Sequence, residues 1–267
     1  MARRESGAGG GGEETASGLP VSLERAWGLR ERPVKGPKPG LTQDRIVDAA
    51  VSLAEAEGLA AVSMGRVAKE LGASTMSLYR YVATKNELYL LMQDAASDDP
   101  PSIPPTDGGW RAGLTRWALG LRAMYHSHLW MLRIPLSGPP ASPKSVAWME
   151  YALAALEGTG LDAGEQLGTV TLLSGYVRHE ATLMSDLDAA YAAEGRTPDE
   201  VMSRYVRTLT HLTTPERHPA VTRLLATNVF AYTEGPEEEA DFDFHFGLER
   251  VLDGVSALVD RRAGAGS

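Results

Sequence analysis

Residues 63–85 read SMGRVAKELGASTMSLYRYVATK, and this stretch decides the fold. Ser63 has the short hydroxyl side chain that caps a helix N-terminus. Behind it Val67, Ala68 and Leu71 form one apolar face, and Gly72 stops the helix. Ser74 caps a second, shorter helix, about Thr75–Val82. At roughly 100° per residue, Leu78 and Val82 point inward with Tyr81 on their flank. Met76 and Arg80 then point away, with Ser77 and Tyr79 at the sides. That outward set suits a groove: arginine for guanine or phosphate, serine and threonine for either, methionine for thymine methyls. Two short helices joined by a tight turn, the second so equipped, make a helix-turn-helix, whose second helix enters the DNA major groove.

The neighbouring sequence supports that unit on both sides. Upstream, Thr42 caps a helix with Asp44 in its first turn, Ile46, Ala50, Leu53 and Ala54 form its stripe, and Gly58 ends it. Downstream, Thr84-Lys85-Asn86-Glu87 is a capping box opening a fourth helix, Asn86–Ala95. The run 98–109 (DDPPSIPPTDGG) breaks the pattern. Helical spacing resumes with Trp110, Leu114, Trp117, Leu121, Met124 and His128. A Pro-rich loop follows at 137–143, then a short apolar helix at 145–156 and a long one at 162–193. Thr197-Pro198-Asp199-Glu200 starts another helix with proline at its first position. An acidic loop at 234–240 precedes a final amphipathic helix at 241–262. No segment alternates as a strand does. The expected fold is all-α: a flexible basic extension (1–40), a three-helix helix-turn-helix domain (41–96), and a helical regulatory, ligand-binding and dimerisation domain (97–267).

The net charge of −9 argues against nucleic-acid binding only when taken globally. Locally, residues 21–40 carry five basic and two acidic side chains, and no acid lies between Gly72 and Asn86. Arg30, Arg32, Lys35 and Lys38 make the extension a candidate arm for phosphate or the minor groove; a solvated tail is the alternative. The chain has no cysteine, so disulfides and thiolate metal sites are excluded. No secretory signal and no uncharged apolar run near the ~20 residues of a membrane helix is found, so a cytoplasmic location is expected.

Ile46, Ala49-Ala50, Gly58-Leu59, Ser63, Val67-Ala68, Leu71-Gly72, Ser77-Leu78-Tyr79, Tyr81-Val82, Lys85 and Leu88 stand at the spacings of a known family. Over Leu41–Met92 the chain resembles the TetR family of transcriptional repressors. The closing run 242–255 (FDFHFGLERVLDGV) is similar to the last helix of the tetracycline-repressor subclass. The resemblance implies an all-helical regulatory core with a small-molecule pocket, dimerised through a four-helix bundle. It places Ser63 and Met64 facing phosphate or a base edge, and Thr75, Met76 and Ser77 where bases are read. Tyr79, Arg80 and Tyr81 fall at base and phosphate positions, and Lys85 at a phosphate position. Gly65 stands where the tetracycline repressor reads a base with arginine, so that operator is not implied.

Trp117, Tyr125, His128, Trp148, Tyr176 and His179 are the candidate ligand-binding residues, since pockets are mostly apolar with a few polar groups. Leu248, Val251, Leu252, Val255 and Val259 form a stripe suited to dimerisation, with Gly247 and Gly254 permitting close approach. His126 and His128 lie about 200° apart on a helix, which does not make a metal site. No phosphate loop, zincin motif or nucleophile elbow occurs, so neither enzyme activity nor a cofactor is expected. The expected function is a homodimeric repressor released from a palindromic DNA operator by a small-molecule effector. The alternatives are a small-molecule sensor that has lost DNA binding, and a transcriptional activator.

Overall fold

The computed structural model describes residues 18–29, 40–101, 108–136, 138–227, 229–230 and 241–265. The regular elements there are all helical: α1 (Val21–Ala26), α2 (Gln43–Glu57), α3 (Met64–Glu70), α4 (Thr75–Tyr79), α5 (Lys85–Ala96) and α6 (Gly109–Ser127). They continue with α7 (Pro143–Ala155), α8 (Ala163–Glu194), α9 (Pro198–Leu212), α10 (Pro219–Leu225) and α11 (Phe242–Ala265). Short 3-10 turns follow α2 (Leu59–Ala61) and α6 (Leu129–Arg133).

The caps fall where the side-chain chemistry puts them. Thr42, Ser63, Ser74, Thr84 and Thr197 each accept from the backbone N–H three residues on. Glu87 and Glu200 return the bond, closing two capping boxes. Ile46, Ala50, Val62, Val67, Leu78, Val82, Leu88 and Met92 have no exposed surface and pack α2 to α5 around one core. A second core joins α6 to α7. There the Trp117 indole donates to the Trp148 carbonyl at 2.8 Å, and the Trp148 indole donates to the Asp98 carbonyl at 2.9 Å.

Two features differ from the sequence expectation. Helix α4 ends at Tyr79, not Val82; the chain then turns tightly, with Tyr81 and Val82 N–H both donating to the Leu78 carbonyl. Within the extension expected to be flexible, Val21–Ala26 is a helix that packs on α5, with Ser22 and Leu23 buried. The basic residues Arg30, Arg32, Lys35 and Lys38 lie outside the described residues, as do residues 102–107 and the acidic loop 234–240. The chain also divides into two compact units inside α8, at Leu172/Leu173.

Candidate nucleic-acid interface

The α3–α4 turn is fixed by backbone geometry. Gly72 adopts φ +62°, a region that side-chain-bearing residues rarely enter, and Ala73 N–H reaches back to the Ala68 carbonyl at 2.9 Å. Ser74 Oγ accepts from Ser77 N at 3.2 Å and shares a 2.7 Å hydrogen bond with Ser77 Oγ. Leu78 and Val82 are fully buried, so α4 is held from beneath while its other side faces out. Met76 stands 74% exposed at its crest, beside exposed Tyr79 and Arg80. Thr75, Ser77 and Tyr81 are half-buried on the flanks. Lys85, first residue of α5, is exposed, with its ammonium 5.2 Å from the Tyr89 ring centre. Cation, hydroxyls, phenols and thioether thus share one surface, with no carboxylate in the sequence between Gly72 and Asn86.

Met64 is the exception among the expected contacts. It is only 5% exposed and belongs to the core. The residue follows the Ser63 cap, and its direction there carries the side chain under α3. Ser63 itself is exposed and accepts from Arg66 N at 3.2 Å. Arg66, which the sequence reading did not single out, ties α2 to α3 by donating to Glu57 at 2.6 Å, and donates within α3 to Glu70 at 3.3 Å.

The candidate ligand residues are used in different ways. Trp117, Trp148 and Tyr125 are buried, and the two indoles are bonded to backbone as above. His128, expected on the helix face of a pocket, caps α6 with φ −136° instead. Its Nδ1 lies 2.6 Å from Glu55 Oε1, which also accepts the Trp130 indole N–H at 2.6 Å. That junction joins the helix-turn-helix to the end of α6. Sequence held one signal for it: Glu55 sits in the last turn of α2, where the helix dipole disfavours an acid.

In the second unit, Tyr176 stacks on Phe244 and donates to the Phe244 carbonyl at 2.8 Å, while His179 is exposed. Gly247 makes room for that phenol: a Cβ there would lie 2.3 Å from the Tyr176 oxygen. At Gly247 that space is filled within one chain, whereas a Cβ at Gly254 would meet nothing within 4 Å. Leu248, Leu252 and Val255 are 1%, 0% and 5% exposed in the single chain, and Val251 and Val259 are half-buried. Area already buried cannot drive association. The outward face of α11 carries Phe242 and Phe246, stacked on each other with ring centres 5.9 Å apart. Among the described residues no group of three metal-ligating side chains occurs, and no helix is long and apolar enough to cross a membrane.

The chain resembles known proteins along most of its length. Residues 46–92 match the family model described as bacterial regulatory proteins, tetR family. Residues 103–259 match the tetracyclin repressor-like C-terminal domain. The HTH-type transcriptional repressor DrrR1 of Streptomyces coeruleorubidus is 40% identical over 263 residues, covering 97% of this chain and 93% of that protein. An HTH-type transcriptional regulator of Saccharopolyspora erythraea is 33% identical over 140 residues, covering 52% of this chain and 59% of its own length. Among solved structures, apo ActR from Streptomyces coelicolor is 28% identical with a TM-score of 0.66, covering 84% of this chain and 99% of that one. ActR in complex with actinorhodin is 29% identical with a TM-score of 0.67, covering 83% and 97%. This chain belongs to the TetR family of DNA-binding transcriptional regulators.

Proposed function

We propose that this protein is a repressor that binds a palindromic operator as a homodimer and leaves it when a small molecule binds its helical core. The observation that carries the reading is the outward face of α4, where Met76, Tyr79 and Arg80 are exposed on a helix anchored by Leu78 and Val82. An exposed methionine and tyrosine on a five-residue helix cost solvation and pack nothing, whereas in a major groove they meet base edges. Thr75, Ser77 and Tyr81 flank that face, and Ser63 and Lys85 stand at helix starts suited to phosphate.

Ligand response is supported by the similarity to ActR, solved with actinorhodin and with (S)-DNPA. Release requires the effector to bind the DNA-incompetent arrangement more tightly. Two routes on this chain carry such a change to α4: helix α5, and the Glu55 junction at the end of α6. For the dimer we favour the outward face of α11 around Phe242, Phe246 and exposed Gly254, together with Leu183 and Met184 on α8.

The reading is tested by selecting random duplexes with the purified protein at fixed salt, with and without Arg80→Ala. A palindromic consensus that weakens in the variant by ~1–3 kcal/mol establishes dimeric base reading. No enrichment at low salt refutes it.

A further inference from the structure

Helix α1 lies outside both stretches that match the family, which begin at residues 46 and 103. It is nonetheless built into the structure at both ends. At its start, Ser22 Oγ donates to Glu87 Oε1, and the Ser22 carbonyl accepts from Gln43 Nε2 of α2 at 3.1 Å. In the middle, Leu23 is buried, 2% exposed. Just past its end, the Trp27 indole donates to the Ala141 carbonyl at 2.9 Å. Ala141 lies in the loop before α7, three residues ahead of Lys144, whose backbone N–H donates to Asp94 near the end of α5 at 2.8 Å. Helix α1 therefore runs beside α5, from its first turn toward its last.

The partner at the first turn matters. Glu87 is buried, and its Oε2 already accepts the Ala83 and Thr84 N–H groups at 2.7 and 3.3 Å. Those bonds set the bend between α4 and α5, and Lys85 stands inside that bend. Ser22 fills the remaining oxygen of the same carboxylate, so the seat of α1 and the position of Lys85 depend on one side chain.

We propose that α1 is a splint: it fastens the DNA-contacting start of α5 to the loop before α7, and Trp27 is the positioning residue through which that loop sets operator affinity. A six-residue helix about 9 Å long transmits such a constraint because both ends are bonded and its middle is buried. Loosening either end lets Lys85 sample more positions, which weakens its phosphate contact. The inference rests on the DNA-binding reading above.

The test uses the full chain and a duplex enriched from a random pool by the unmodified protein. Its affinity is measured in the same titration, so a failure of DNA binding shows there and not in the variants. Trp27→Phe removes the indole N–H, keeps an aromatic six-membered ring in its place and leaves every charge unchanged. The expected result is about two- to tenfold weaker binding, the range for one lost hydrogen bond, with an unchanged salt slope because no phosphate contact is deleted. In a Lys85→Ala background the same substitution should have no effect. An unchanged or tightened Kd overturns the proposal, as does an equal loss in the Lys85→Ala background, which would make Trp27 merely stabilising. Should Trp27→Phe fail to fold, Ser22→Ala cuts the opposite end with the same expectations. Where both fold, their effects must be less than additive; additive losses from sites this far apart would mean that α1 transmits nothing.

Discussion

Glu55→Ala removes the acceptor at the junction between α2 and the end of α6, and its cost follows from three contributions. The Trp130 ring is 4% exposed, so its N–H, left without Glu55 Oε1, costs about 1–3 kcal/mol. The pair with His128 adds about 0–1 kcal/mol, because the side chains are 26% and 40% exposed and the attraction is screened. Against these, removing an acid from the C-terminal turn of α2 returns roughly 0.3–1 kcal/mol. The net expectation is a loss of about 1–3 kcal/mol. At ~2–4 °C per kcal/mol for a chain of this size, the melting temperature falls by about 2–12 °C. The assay is thermal unfolding by circular dichroism at one protein concentration, since subunit association would shift the midpoint by mass action. Glu55→Gln keeps an oxygen acceptor and should lose about half as much. The ordering Ala worse than Gln should persist at about 1 M salt, where exposed pairs are screened within ~3 Å. A midpoint unchanged within about 1 °C for Glu55→Ala would refute the reasoning, because a buried N–H cannot be orphaned without cost.

Other substitutions separate contact from core. Lys85→Ala should weaken binding to all duplexes alike and reduce the salt slope by about one, read from titrations at several salt concentrations. Met64→Ala should cost about 2–5 kcal/mol in unfolding, whereas Met76→Ala should leave the midpoint in place and alter base preference in duplex selection. Gly247→Ala forces a methyl to within 2.3 Å of the Tyr176 oxygen and should destabilise the chain by about 1–3 kcal/mol, relieved in part by Tyr176→Phe. Phe246→Asp should give a monomer in sedimentation if the outward face of α11 joins two copies; an intact dimer would remove that face.

Local rules made the helix starts and core between Thr42 and Ala96 readable. Ser63, Ser74 and Thr84 cap where short hydroxyl chains satisfy free N–H groups, and Leu78 and Val82 bury because they sit one turn apart. Those signals lie within a few residues of each other. What failed needed partners far along the chain. The stripe on α11 has the same period whether it faces its own chain or a second copy, so Leu248 and Leu252 could not be assigned from spacing. Family position puts Met64 at a contact, whereas the residue after a cap can turn under the helix, as Met64 does. The helical spacing extends to His128, whereas His128 caps α6 and its Glu55 partner lies 73 residues away. Helix α1 was hidden by its setting, six residues between Gly-rich and Pro-rich runs, and is recognisable only with Glu87 and Ala141 beside it.

The seam between α5 and α7 bears on how this protein can be re-engineered. Asp94 accepts the Lys144 N–H, the Lys144 ammonium donates to the Ser97 carbonyl, and Trp148 donates to the Asp98 carbonyl. A DNA-reading head transplanted at residue 96 would remove Asp94 and leave the Lys144 N–H facing a foreign surface, while Ser97 and Asp98 stay with the body. A chimeric biosensor built on this body should therefore keep Asp94, Ser97 and Asp98 with Lys144 and Trp148, and exchange only the residues that meet the groove.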